Sequence, residues 1–523
     1  MDYVIGSGLS GVMCARALLE KGRQVTMLDV GVLPSKETSD VKQHLSERDP
    51  HAWDKQTLSS VSGTLSQTKG RVPSRLYFNS YYMYADTVLE GIDQQKTNCR
   101  MSYAQGGLGV VWGGATLPAQ KEDFNEWPFS IDRMRFHYEA VAKEIGIAGV
   151  RDNLETMFPF FGNPLPVDDL SQQAEHICKN LTAHRQSLSK SGITYGRSRL
   201  AYRSSSLIPG CKKCALCLSG CPFDVIYSAT DTLRELKKRK EFTYIEDCMV
   251  KRIEEKENIV YLHTVHSGKE KVFEGDRVFV ACGPLGTLKL MSDSRVQSRD
   301  TYALHYQPYF MLPMLSLKNL NTVSREKVHT MAQLFIELHD QAISDRTIHM
   351  QLYTYSPQIQ SEIDRMFGRI PFLKKAVDYF ITGRLLLVQG YVHASAAPAI
   401  SVEKEGGKLR LHGVDERSVK VLIRRVARKL FGLSLQIGAI PLLPMLKYGL
   451  PGDGNHAGAS FPMAETPTEN QTDVYGRLPE FSRVHMVDSS VLSTIPAPTI
   501  SYTVMANAHR IGWESVELNN ELI

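Results

Sequence analysis

Two groups of residues in this sequence have types and spacing that could do chemistry. The first is Gly6-Ser7-Gly8-Leu9-Ser10-Gly11, set between an apolar stretch, Tyr3-Val4-Ile5, and a helical pattern from Val12 to Lys21. A second apolar stretch, Val25-Thr26-Met27-Leu28, ends on Asp29, eighteen residues past Gly11. Strand, glycine turn, helix, strand and acid together predict a dinucleotide site. Gly6 permits the tight turn, Gly8 lets backbone N–H groups approach a pyrophosphate, and Gly11 lets the helix pack close to the strand. The helix start at Leu9 and Ser10 offers unpaired N–H groups and a positive dipole end, while Asp29 is placed to accept from a ribose hydroxyl. The second group is Cys211, Cys214, Cys217 and Cys221, spaced C-x2-C-x2-C-x3-C and followed by Pro222. Bacterial ferredoxins hold 4Fe-4S clusters with this run, the fourth thiolate serving a second cluster. No second run exists here, so one cluster would need Cys221 or a distant thiolate such as Cys248 or Cys282. Zinc would also accept four thiolates, in a tetrahedron and without redox function. The third reading is reduced structural thiols.

The elements that must position these groups can be read along the chain. Residues 31 to 95 are polar and poorly periodic, an excursion over the surface of the dinucleotide domain. The block from Gln105 to Gly114 has five glycines, Gly106, Gly107, Gly109, Gly113 and Gly114, around two valines and Trp112, which lets backbone lie against a flat or phosphorylated ligand. A helix is expected from about Ile131 to Lys143, and another after the cap Ser228-Ala229-Thr230-Asp231. Strands follow at about Met249 to Ile253, Val260 to Val265 and Val278 to Cys282, the last leading into the turn at Gly283. From about 300 to 450, alternating apolar stretches at Ala332 to Leu338, His349 to Tyr355 and Leu385 to His393 predict a second sheet. Val484 to Asp488 reads as a buried strand ending on an acid, and a helix is expected from Thr499.

Composition limits the choices of class. With 523 residues the chain holds two or more domains, and 42% apolar and 22% charged residues are ordinary for a globular protein. A net charge of +5 over this length does not argue for nucleic acid. No uncharged apolar run reaches membrane-spanning length, and the first strand starts too near Met1 for a signal peptide, so a cytoplasmic protein is expected. Nine cysteines, four of them crowded together, do not look like a secreted disulfide framework. Val419, Leu422, Ile423, Val426, Ala427 and Leu430 share one helical face with basic residues beside it. That face either packs into a core or lies in an anionic lipid surface through residues 417–447, on the inner side of the membrane.

Together the motifs resemble the glucose-methanol-choline (GMC) oxidoreductases, flavoproteins that oxidise alcohols and sugars. The resemblance rests on Gly6-x-Gly8-x-x-Gly11, on Gly106-Gly107 with Trp112-Gly113-Gly114, on Ala281-Cys282-Gly283-Pro284, and on the ending from His456 to Arg510. It implies an α/β fold with a discontinuous Rossmann-like FAD-binding domain and an α+β substrate domain built on an antiparallel sheet. The FAD domain would comprise 1–140, 196–300 with the cysteines and 451–523 with the catalytic loop; 141–195 would be a helical insert on the substrate side and 301–450 the substrate domain. The resemblance makes FAD the cofactor and adds Gly109, Trp112, Gly113, Val250, Gly283, Asp488 and Thr499 to its contacts. It makes His456 the base that takes the proton of a substrate hydroxyl, a role suited to an imidazole. The helix from Thr499 would point its N-terminus at the flavin.

One departure stands out. Where relatives carry a second catalytic histidine or asparagine, this chain has Ala497 before Pro498. Either His456 acts alone, or Ser501 takes part of the role, or the chemistry differs from ordinary alcohol oxidation. The expected activity is dehydrogenation of a hydroxyl on a free, nucleotide-linked or lipid-linked sugar, with electrons going to an acceptor that the sequence does not identify. The alternatives are flavin-dependent epimerisation or isomerisation without net electron release, and a non-catalytic zinc-binding scaffold.

Overall fold

The computed structural model describes residues 1–61, 75–203, 210–295, 301–357, 359–360, 378–414 and 417–517. Its first layer is a parallel sheet of five short strands in the order Val484–Met486, Arg277–Val280, Asp2–Ile5, Val25–Leu28 and Phe242–Ile245. The first four are buried throughout, as mainly apolar strands inside a parallel sheet should be. Two buried charges of these strands, Asp2 and Arg277, pair with each other, the Asp2 carboxylate accepting from the Arg277 guanidinium at 2.9 and 2.6 Å. Phe242–Ile245 escaped the sequence reading because it is a half-exposed edge strand with weak alternation. The chain thus returns to one sheet from four distant segments.

Helix Leu9–Glu20 packs on this sheet and against the last helix, Ser501–Glu514. The crossing is close: a Cβ on Gly512 would lie 2.8 Å from the Cys14 carbonyl oxygen. Helix Ala229–Leu236 starts at the expected cap, with Ser228 and Asp231 each bonding the other's backbone. The expected strands at 249 and 260 are Cys248–Lys256 and Ile259–His266, completed by Lys269–Gly275 into an antiparallel sheet.

The second domain is an antiparallel sheet in the order Ala439–Pro441, Tyr309–Ser316, Leu385–Val392, Ile348–Tyr353, Leu334–Leu338 and Ile193–Arg197. Ile193–Arg197 straddles the 195/196 boundary expected from sequence and forms the outer strand. Helices Gln172–Ala183 and Arg417–Gly432 cover one face. Val419, Ile423, Val426, Ala427 and Leu430 are buried there and Leu422 packs against the same core. The face that sequence offered to lipid is therefore occupied by the sheet, because burial against β-strands removes the same apolar area from water that a bilayer would. Among the described residues no helix is long and apolar enough to cross a membrane.

A third, mixed sheet joins the domains in the order Ala457–Gly458, Thr301–Tyr306, Ile400–Glu405, Lys408–His412 and Ile92–Gln95. Its first pairing sets Tyr306 opposite Ala457, and the flanking Gln307 N–H donates to the His456 carbonyl at 2.9 Å. Two residues 149 positions apart are thereby placed side by side.

Candidate active site

The carboxyl ends of the parallel strands open on a groove of 490 Å³. Gly6, Gly8, Leu9, Ser10, Asp29, Gly107, Gly109, Val250, Gly283 and Asp488 line it, and so do His456 and Ser501. Gly8 has φ −63°, and the place a Cβ would take there is open space, as it is at Gly283. These bare backbone positions fit a dinucleotide that must lie against the chain. Gly11 and Gly106 shape the groove from behind instead of lining it. A Cβ on Gly11 would lie 1.9 Å from the Gly6 carbonyl oxygen. Gly106, at φ +90°, donates its N–H to the Ser7 hydroxyl at 2.8 Å.

Both acids expected at the cofactor are held by neighbours. Asp29 Oδ2 accepts from the Ser7 hydroxyl and, at 2.9 Å, from the Tyr244 hydroxyl, which the missed edge strand supplies. Burial pushes its carboxyl up to about 6, against the pull of these bonds. Asp488 accepts from the Thr287 hydroxyl and from the Ser490 N–H, and burial raises its carboxyl too. The last helix begins at the groove, where Ile500, Ser501 and Val504 form part of the wall. Its unpaired N–H groups and dipole make that end of the groove favourable to negative charge.

A second cavity, of 190 Å³, adjoins the first: Leu9, Gly109, Asn455, His456 and Ser501 line both. Trp112, Gly113 and Thr499, expected at the cofactor, line this second cavity and not the groove. The Trp112 indole N–H donates to the Tyr227 carbonyl at 2.6 Å, and the Thr499 hydroxyl to the Ala115 carbonyl at 2.9 Å. Both polar groups are spent on holding backbone.

His456 is half-buried, and its Nδ1 lies 2.6 Å from Gln307 Oε1. The Gln307 amide nitrogen donates to the carbonyls of Pro496, Ala497 and Pro498, at 2.5, 2.5 and 3.1 Å. Carbonyls only accept, so the amide orientation is determined, and its oxygen must face His456. That oxygen also only accepts. The proton of the neutral ring is therefore on Nδ1, and Nε2 keeps its lone pair. Burial, with His349 as a lesser cause, pushes the imidazole down to about 4, so it is neutral at ordinary pH. Ala497, which cannot stand in for a second catalytic side chain, contributes through its carbonyl to holding Gln307.

The far wall was missed in the sequence. It is built from cross-strand neighbours: Gln351 opposite Gln389, with Tyr353 next along the strand, and Tyr391 opposite Tyr309, while the fully buried His349 is the neighbour of Tyr391 on the other side. His349 Nδ1 pairs with Glu337 at 2.7 Å, Gln351 bridges to His349 at 3.1 Å, and the Tyr353 hydroxyl donates to Gln351 at 2.9 Å. The Tyr391 ring lies 5.5 Å from His456. The signal was present as period two, His349-x-Gln351-x-Tyr353 and Gln389-x-Tyr391, polar positions alternating with apolar ones, the first in a strand buried on both faces and the second in one whose alternate residues are partly exposed.

The four clustered cysteines lie in one neighbourhood, each raised by burial and three of them, Cys211, Cys214 and Cys217, also by the other thiols. Backbone N–H groups of Lys213, Thr330 and Val225 donate to the sulfurs of Cys211, Cys217 and Cys221, at 3.2, 3.4 and 3.4 Å. Lys213, Ala215 and Asp224 have positive φ, which winds the loop around these sulfurs. Among the described residues no three ligating side chains are gathered as they would be around one metal ion. Cys248 and Cys282, considered as distant ligands, line the cofactor groove instead.

The sequence matches the family model "GMC oxidoreductase" over residues 1–308. Curated proteins provide no match. Among solved structures, the chain is similar to that titled pyridoxine 4-oxidase from Mesorbium loti, at 13% identity over 99% of each chain and a TM-score of 0.60, which is a likeness of fold. The family match over more than half the chain, together with the glycine-lined groove and the two-domain architecture, makes this protein a member of the GMC oxidoreductases, an FAD-dependent oxidoreductase.

Proposed function

We propose that the enzyme dehydrogenates a hydroxyl of a sugar or related polyol, with His456 as the base. The carrying observation is the Gln307 bond, which leaves the His456 Nε2 lone pair available in the cavity next to the cofactor groove. FAD, when bound, supplies the two-electron acceptor for the carbinol carbon. The protein's part is to receive the hydroxyl proton on Nε2 and to orient the alcohol. Phenols and amides along the far wall suit a substrate with several hydroxyls, since each offers a donor or acceptor in a fixed place. Ser501, at the helix start and shared by both cavities, is the polar group best placed to assist where Ala497 cannot. Anaerobic mixing of the holoenzyme with a sugar panel tests this reading. Flavin bleaching by at least one polyol is expected, and bleaching by none, with simple monoalcohols active, would refute it. Family membership and the intact groove weigh against a non-catalytic scaffold.

We further propose that the cysteine loop holds an iron–sulfur cluster, which would make the enzyme a dehydrogenase passing electrons outward. Thiolates of a cluster bind different iron atoms and stand further apart than ligands of one ion, and N–H donors to sulfur stabilise the negative charge. Trp112 lines both the cavity of His456 and the pocket beside Cys217 and Cys221. Anaerobic purification should yield iron and acid-labile sulfide in comparable amounts. Zinc without sulfide after reconstitution would return the cysteines to a structural role. For membrane contact, the proposed surface is now the outer side of the helix Arg417–Gly432, where Arg424, Arg425 and Arg428 are exposed with Val421 and Phe431. Flotation with anionic vesicles at low salt should carry the protein upward, and no flotation removes this contact.

A further inference from the structure

The cavity of His456 contains a cation whose role the reaction above does not explain. Arg75 lies in its wall beside Gly113: a Cβ on that glycine would stand 2.8 Å from Arg75 Nη2 and 3.1 Å from Nη1. Gly113 thus makes room for a guanidinium, not for the cofactor. The Tyr353 hydroxyl interacts with Arg75, and the positive charge also reaches Tyr309 and Tyr391. Among the described residues no carboxylate forms an ion pair with Arg75. Asp453, the one carboxylate of the cavity among the described residues, is committed to the Asn98 amide and the Leu450 N–H. A guanidinium among phenols and amides lacks the compensation that a partly desolvated charge needs, and its planar fork matches a carboxylate or phosphate.

We propose that the substrate is an anionic sugar, and that Arg75 receives its carboxylate or phosphate while His456 faces the hydroxyl to be oxidised. The far wall sets the spacing. Tyr391, against His456, pairs with His349, and Tyr353, which interacts with Arg75, lies four residues further along that strand, so the wall runs from the imidazole toward the guanidinium. Gln351 and Gln389 lie between them, facing the sugar hydroxyls. This inference rests on the reading of the cavity as the alcohol site with His456 as base, and adds the charge of the substrate to it.

The test uses FAD-loaded protein and three probes, glucose, glucose 6-phosphate and glucuronate, with equilibrium perturbation of the flavin spectrum as the binding readout and bleaching as a separate one. At least one anionic probe should bind about tenfold or more tightly than glucose. Arg75→Met should bring the ratio of anion to glucose affinity down to about one, whatever it does to glucose binding itself, and Arg75→Lys should keep part of the preference, since the charge remains and the fork is lost. The flavin spectrum of each variant confirms loading. A preference for only one of the two anions assigns the site to phosphate or to carboxylate. No preference in the wild type, or a preference that survives Arg75→Met, overturns the proposal. His456→Ala separates the two readings: it should keep the anion preference and lose bleaching. Anion preference in the wild type, with no bleaching by any sugar of the panel while simple monoalcohols are active, would leave Arg75 in place and refute the reading of the cavity as a sugar site.

Discussion

His456→Ala is expected to bind FAD as the wild type does and to reduce it by substrate about 10²-fold or more slowly, the usual reach of a lost general base. The cofactor should stay because the residues that line most of the groove, Gly8, Asp29 and Gly283 among them, are untouched. Gln307→Leu should reproduce part of the loss, about tenfold or more, because the ring would lose both the partner of its Nδ1–H and its orientation. The pH profile distinguishes a base from a mere wall residue. A base works as the neutral ring, and burial holds His456 down to about 4, so protonation takes activity away only at low pH. kcat/KM should therefore stay level as pH falls from about 8 to about 5 and drop below that, in contrast to an exposed histidine, whose loss would begin near its ordinary value of about 6.5. Rapid bleaching in His456→Ala would remove this residue from the mechanism.

Gly8→Val is expected to give a folded, colourless protein. Its neighbours in the motif could not serve for this experiment. At Gly6, φ is +97° and a Cβ would lie 2.6 Å from the Ala281 carbonyl oxygen, and at Gly11 the clash is with the Gly6 carbonyl itself. Substitution at either damages the fold and the site together. Gly8 has a φ any residue adopts, and the only thing its side chain would enter is the groove. The variant should retain its circular dichroism and fail to take up FAD. It should also lose the stabilisation that added FAD confers on the wild type, about 2.7 kcal/mol at a hundredfold excess over Kd. A yellow Gly8→Val protein of normal FAD content would show that the pyrophosphate lies elsewhere.

The first thirty residues were legible because everything their chemistry needs is local. Strand, turn, helix N-terminus and Asp29 are separated by single elements, and each glycine has a steric reason that sequence spacing carries. The apolar runs of the large antiparallel sheet were legible for the same reason, as period two in a strand does not depend on what it faces. Helix Arg417–Gly432 shows the limit of such reading. Its amphipathic face was visible, but whether water, lipid or a sheet lies against it is a property of the fold.

The sequence by itself therefore determined the mixed α/β class, the strand–glycine turn–helix at the start of the chain, and which cysteines and which histidine to examine. Only the tertiary structure decided how that histidine is held and what faces it. Gln307 reaches His456 through the pairing of Tyr306 with Ala457, and its amide is oriented by three carbonyls of the loop that carries Ala497. The wall of Gln351, Gln389, Tyr309 and Tyr391 exists only as antiparallel register, and Arg75 meets Gly113 across a gap of 38 positions in the sequence. Such contacts are made by strand pairing and domain closure, whose partners are distant in the chain, and local spacing carries no record of which distant residue will be opposite.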